Sequence, residues 1–317
     1  MGALVSLASF TLNIFFVAQC ISLRNIQSDT LDIQLDDRPP FIEWPRHGAR
    51  LRVSLGYQES VLDVMGDYVL DEIEYAGPAR TLTLKAKAAD MTAMLKAPKT
   101  RHWEEVTLGD VVQTIASEHG LTAKVGSGLG AIYYAHIAQT HESDLHLLTR
   151  LAKANGALIK PVSGYLVLVN KGEARSISGQ ALPVIPVNAT QVLQYRFTQA
   201  ERGKYRSVSA SWHDTENAVT RTVFAGHGKP EYRIRHPFDN EVLAYQAASA
   251  KLGSLQRGTA TLSLTLLGNS ALRAEGKVML DGIRSPVDGM WVVNSVEHVL
   301  EEQGFQSRLD AELSNDT

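Results

Sequence analysis

Cysteine is nearly absent from this 317-residue chain: Cys20 is the single one. One thiol excludes an internal disulfide and a cysteine-built zinc site, and it is compatible with a reducing compartment. Charge of one sign is also missing. With 31 basic and 34 acidic residues the net charge is -3, which argues against wholesale nucleic-acid binding. No G-x-S-x-G elbow supports a serine hydrolase, and no helical three- or four-residue histidine spacing supports a metalloenzyme. A hydrophobic fraction of 44% with 21% charged residues is ordinary for a globular protein, and the length predicts two or three domains.

Charge is wholly absent from the first 23 residues. The run Ala3 to Leu23 is long enough to span a bilayer, yet Ser6, Ser9, Thr11, Asn13 and Gln19 dilute it. A signal peptide would need a basic start, which is lacking. VAQC at 17–20 resembles a lipoprotein box with Gln19 where a small residue belongs. Leu12, Ile14, Phe16 and Val17 have strand character, and the balance favours one or two buried strands.

From Ser28 the apolar residues alternate. Leu31, Ile33 and Leu35 interleave with Asp32, Gln34 and Asp36, and Leu51, Val53, Leu55 and Tyr57 repeat the pattern. With Val69–Tyr75 and Thr81–Ala88 this predicts an antiparallel meander over 28–90, followed by an irregular link to Lys99. The stretch Pro98 to Gly120 then holds a helix. Thr107 and Asp110 make a capping-box start, Leu108, Val111, Val112, Ile115 and Ala116 form an apolar face, and Gly120 ends it. A second helix opens at Ser143, with Leu145, Leu148, Leu151 and Ala152 on one side, and stops at Asn155-Gly156. A hairpin follows, turning at Ser163-Gly164. Gly179, Pro183 and Pro186 mark a linker, and strands resume at 191–198 and 205–212. A third helix, capped by Asp239, runs to about Leu255, and four more strands close the chain.

Candidate chemistry is thin. GSGLG at 126–130 follows no strongly hydrophobic strand, opens no helix and lacks a Lys-Ser/Thr pair, so it reads as a turn and not a phosphate loop. His136, His141 and His146 are five apart, with His119 nearby, and fall on different faces. Asp36-Asp37 and Glu104-Glu105 are adjacent carboxylates, not a pair held across a cleft. Ser211, His213 and Asp214 lack the context of a triad. KTRH at 99–102 and RIRH at 233–236 read as solvated faces or interface edges. No residue is assigned a catalytic, cofactor-binding or metal role.

Five blocks together carry a family resemblance: SDTLDIQLDDR (28–38), RLRVSLGY (50–57), LKAPKTRHWEEVTLGDVVQTIASEHGL (95–121), QTHESDLHLLTRLAKANGA (139–157) and GMWVVNSVEHVLEEQGFQSRLDAEL (289–313). In this order they resemble the phage late control gene D family, baseplate hubs of contractile tails that are related in fold to the N-terminal hub part of VgrG spike proteins. The resemblance implies a mainly β fold with an α+β insert, in which two tube-like β-barrel domains flank a small α/β region. The divisions expected are an atypical apolar N-terminus at 1–25 (a divergent first strand or an altered start), a first barrel at 26–95, an insert at 96–175, a linker at 176–190 and a second barrel with one helix at 191–317.

The function implied is a homotrimeric, non-enzymatic adaptor between a six-fold tail tube and a three-fold central spike. Its partners would be the tail spike protein, the tail tube protein and other baseplate proteins, with no cofactor, nucleic acid or small-molecule substrate. It would be built in the bacterial host cytoplasm and sit in the virion tail baseplate. The alternatives are a tail-associated peptidoglycan hydrolase, which would need a lytic domain with no room here, and an exported or membrane-anchored binding module resting on residues 1–23.

Overall fold

The computed structural model describes residues 3–8, 18–25, 29–57, 61–88, 93–162, 164–172, 182–200, 205–215, 217–301 and 304–314, with the backbone alone for 3–8, 18–25 and 93–94. Leu12, Ile14, Phe16, Val17, Ser163 and residues 173–181 of the expected linker region lie outside the described residues. The chain is mainly β. Its first strands are β1 (Ala3–Ala8), β2 (Ala18–Asn25), β3 (Thr30–Asp36), β4 (Arg50–Tyr57), β5 (Asp63–Ala76) and β6 (Thr81–Ala88). The middle holds β7 (Pro98–Thr107), α1 (Leu108–Glu118), β8 (Thr122–Val125), β9 (Tyr133–Ser143), α2 (Asp144–Ala154), β10 (Ala157–Val162) and β11 (Tyr165–Asn170). Then come β12 (Val184–Asn188), β13 (Val192–Gln199), β14 (Ser207–Asp214), β15 (Val219–Gly226) and β16 (Glu231–Arg233). The last elements are α3 (Glu241–Arg257), β17 (Ala260–Leu267), β18 (Lys277–Asp281), β19 (Gly289–Glu301) and β20 (Gly304–Leu313).

Two compact units result, and they cut across chain order. One gathers Met1–Met91, Pro183–Phe197 and Leu262–Ala311; the other gathers Thr92–Leu182, Thr198–Thr261 and Glu312–Thr317. The first is built on a curled sheet whose strands run β1-β4-β5-β6-β3-β2-β19-β20-β17-β13. β2 joins the two ends of the chain: Leu23 lies opposite Leu31 of β3 on one side and His298 of β19 on the other. The predicted alternation sets the inner face, with Leu31, Ile33, Leu35, Leu51, Val53, Leu55, Leu82 and Leu84 buried in one core with Tyr68 and Phe305. Each such leucine contributes roughly 1.5–3 kcal/mol of transfer free energy. β5 is longer than the 69–75 expected because its first half carries a register shift against β4 beside Gly66, which breaks the period-two pattern and lets the sheet bend. Val184–Asn188, expected within the linker, is a strand that pairs in parallel with β18.

In the second unit, α1 buries Leu108, Val111, Val112, Ile115 and Ala116, the face its spacing predicts. Thr107 and Asp110 cap it reciprocally, and Gly120, at φ +67°, ends it where L side chains are strained. In α2 the buried face includes Leu147, while Leu145 is half-buried. The cap of α3 is Asn240 and not Asp239: Asn240 Oδ1 accepts the Leu243 amide at 2.9 Å. α3 packs through Ala244 and Ala248 onto Val208, Ala210 and Ala225. Small side chains there replace a strong apolar stripe. Residues 98–107, expected to be an entry to the helix, form strand β7, paired antiparallel with β9.

Candidate functional site

Asp144, the first residue of α2, is fully buried and held by four other side chains. Its carboxylate accepts from Lys99 Nζ at 2.6 Å, Arg101 Nη2 at 2.8 Å, His119 Nε2 at 2.8 Å and Gln139 Nε2 at 2.9 Å. Burial alone would push this acid up. The donors from His119, Lys99 and Gln139 and the Arg101 charge overcome that and hold it at about 2. Glu118, at the end of α1, takes a second bond from each cation, at 2.6 Å from Arg101 and 2.9 Å from Lys99. The Arg101 guanidinium also lies over the Trp103 ring, 4.3 Å from its centre. Strand alternation makes this geometry: 99, 101 and 103 share the inward face of β7. The cluster ties the β7–β9 ribbon to both helices.

Glu118, His119 and Asp144 present ligand atoms within 4.8 Å of one another. Both Asp144 oxygens, however, already face ammonium and guanidinium groups, which would repel a metal ion. The set is an ion-pair network. Lys99 and Arg101, read from sequence as a solvated basic cluster, are thus corrected to partners of a buried acid, while Arg233, Arg235 and His236 are exposed.

The other sequence candidates disperse. The 126–130 loop and the residues just after it supply carbonyls, not amides, to the start of α1: Gly109 N–H donates to Gly130 O at 3.1 Å and Leu108 N–H to Ile132 O at 2.8 Å. The helix amides a phosphate would use are occupied. Asp36 pairs with Arg38, and Asp37 accepts the Ile42 amide at 2.7 Å. His213 meets Thr220 at 3.1 Å, and Asp214 is held low by Asn217, with Arg221 adding to it, so Ser211 gains no relay. His146 pairs with Glu142 at 2.8 Å, and the His141 amide donates to Thr100 Oγ1 at 3.2 Å. His136 instead faces His102, a contact the sequence spacing did not signal.

The curled sheet offers surface rather than chemistry. A hollow of about 620 Å³ is lined by β13, β17, β19 and β20. There Asp310 accepts from Ser263 at 2.7 Å and Ser295 at 3.2 Å, and Arg308 lies 3.7 Å from Glu297. Alternate residues Leu262, Leu264, Leu309 and Ala311 are buried behind it. β13, at one end of the sheet, exposes Leu193 and Tyr195 about halfway. Among the described residues no helix is long and apolar enough to cross a membrane.

The model of the phage tail baseplate hub family (GPD) matches residues 9–304. A probable baseplate hub protein of Escherichia phage 186 is 32% identical, with 92% of this chain and 86% of the relative covered. In fold, the chain is similar to the 43 kDa tail protein of prophage MuSo2 from Shewanella oneidensis, at TM-score 0.70 and 15% identity over 98% of both chains. A PdpA-VgrG complex from Francisella matches at TM-score 0.58 and 8% identity, over 99% of this chain and 58% of the other. With the family matched over nearly all of its length and a curled β sheet of the same fold, the chain belongs to the phage tail baseplate hub family.

Proposed function

We propose that this hub is a homotrimeric adaptor that joins the six-fold tail tube to the three-fold central spike of a contractile tail or tail-like particle. It acts by shape and interface burial, without a catalytic step, cofactor, nucleic acid or small-molecule substrate. Its partners are the tail tube protein, the tail spike protein and other baseplate proteins. It is made in the bacterial host cytoplasm and ends in the virion tail baseplate. The two β regions at 26–95 and 191–317 act as two barrel elements per chain, so three copies present six to the tube and three chains to the spike.

The observation that carries this reading is a curled sheet that stops with β1 at one end and β13 at the other, with a hollow lined by β13, β17, β19 and β20. An exposed edge strand is a pairing hazard unless something covers it, and a neighbouring subunit in a closed cyclic assembly can do so. Obligate interfaces of this kind bury over ~2,000 Å².

The test is the mass of the purified full chain by light scattering, alone and with the spike protein. We expect three times the 34.7 kDa chain mass, either alone or on adding the spike. A monomer that ignores the spike overturns the reading.

A further inference from the structure

His102 and His136 come together on the β7–β9 ribbon, and the hub function makes no use of them. Glu104 lies directly opposite His136, and Ala138 directly opposite His102. Because Arg101 and Trp103 point inward, His102 and Glu104 share the outer face, and all three side chains are exposed. The small Ala138 leaves room beside His102, so the two imidazoles meet diagonally, with ring centres 6.4 Å apart and planes 25° from parallel. Two imidazoles on one tetrahedral zinc have ring centres ~5 Å apart, given Zn–N bonds of ~2.0 Å. Exposed side chains can close that gap by changes in torsion angle, without moving the backbone. A third donor is already placed, since directly opposed residues such as Glu104 and His136 have Cβ atoms ~5 Å apart. Beside His136 lies a hollow of about 350 Å³ that Asp239 also lines, with space for water on the ion. The one cation lining it, Arg150, is held by Glu142 at 2.8 and 3.0 Å.

We propose that His102, His136 and Glu104 bind one divalent transition-metal ion, of the zinc, nickel or copper(II) class, on the outer face of the ribbon. Two neutral imidazoles and a carboxylate suit these ions over magnesium or calcium, and the remaining positions stay open to water. The site differs from the Asp144 cluster in one respect that matters: among the described residues no ammonium or guanidinium group bonds to its donors.

Calorimetric titration of the untagged full chain with zinc chloride tests this, with magnesium chloride as the comparison. We expect one zinc per chain and no binding of magnesium. His102→Gln and His136→Gln should each weaken zinc at least tenfold, and Glu104→Gln several-fold, with unchanged metal-free melting temperatures. Glu118→Gln should leave zinc affinity unchanged. Absence of zinc binding, equal affinity in the double histidine variant, or binding that follows Glu118 overturns the proposal.

Discussion

Lowering the pH from 7.5 to 5 should weaken the curled sheet through one residue, His298. Its ring is buried on β19, with Nδ1 2.9 Å from Ser307 Oγ and Nε2 3.3 Å from Leu272 O. A carbonyl only accepts, so the Nε2–H donates to Leu272 and Nδ1 accepts from Ser307, whose oxygen in turn accepts the Asn269 amide at 2.9 Å. The neutral ring fits this arrangement. Burial, and then the nearby Arg273 charge, push its pKa down to about 4, from 6.5. Asp63 and Asp29 lie close enough to Arg273 to temper its charge. A histidine with a depressed folded-state value takes up its proton more readily when unfolded. Its stabilising contribution is therefore complete above pH 6.5 and is lost as the pH falls towards 4.

The full loss, at 1.36 kcal/mol per unit, is about 3 kcal/mol, and about 2 kcal/mol of it has gone by pH 5. The assay is urea unfolding of the wild type and His298→Gln at both pH values, at one fixed protein concentration, followed by tryptophan fluorescence; Trp291 is fully buried in the same unit. Other titrating groups affect both proteins alike and cancel in the difference. At pH 7.5 the variant should be about 1 kcal/mol the weaker, from the poorer hydrogen bonds. By pH 5 that gap should shift by about 2 kcal/mol in favour of the variant, or about 1 M in urea midpoint for a slope of ~2 kcal/mol/M. A gap that stays constant within ~0.5 kcal/mol between the two pH values would refute the reasoning.

Other outcomes follow from the packing. Asp144→Asn removes the acid that both Lys99 and Arg101 face, and should cost about 3 kcal/mol in chemical unfolding. Because Asp144 sits near 2 when folded, its contribution should hold down to about pH 4 and be lost only below that, which acid titration of wild type against variant would show. Gly268→Ala would set a Cβ 2.1 Å from the buried Phe305 ring, so we expect a loss of about 3 kcal/mol or failure to fold, read by thermal melting. Thr107→Ala removes one half of the α1 capping box and should cost about 1 kcal/mol. Leu193→Lys, on the exposed end strand, should lower the light-scattering mass towards that of the monomer while leaving the melting temperature of the monomer unchanged.

What the sequence made legible was whatever is written in local period. Leu31, Ile33 and Leu35 alternate, and they are fully buried. Thr107 and Asp110 are three apart, and both reciprocal cap bonds form. β7 escaped because its inward positions, Lys99, Arg101 and Trp103, hold one apolar residue among two cations. Hydrophobic periodicity tests for oil on the inner face, and here the inner face is satisfied by a carboxylate 43 to 45 residues away. The alternation was present all along, in charge rather than hydropathy. An acid at the first position of a following helix, Asp144, was the one local hint of a partner, and there it reads equally well as an answer to the helix dipole.

The same limit hid the joining of the sheet's two halves. Leu23 and His298 are neighbours across β2 and β19, yet nothing in either strand names the other. Strand pairing is decided by which faces must be buried together, and several strands of this chain offer equivalent faces. It also explains why His102 and His136 went unpaired in the sequence reading. Ligand spacing along a chain detects sites on one helix or one strand, whereas a diagonal pair across a ribbon depends on register. In that register Glu104 lies opposite His136, three residues beyond Arg101, which bonds the buried Asp144. The ribbon therefore keeps its ion pairs on one face and brings the two imidazoles together on the other, and the pairing of the strands, not the spacing along either one, decides which side chains meet.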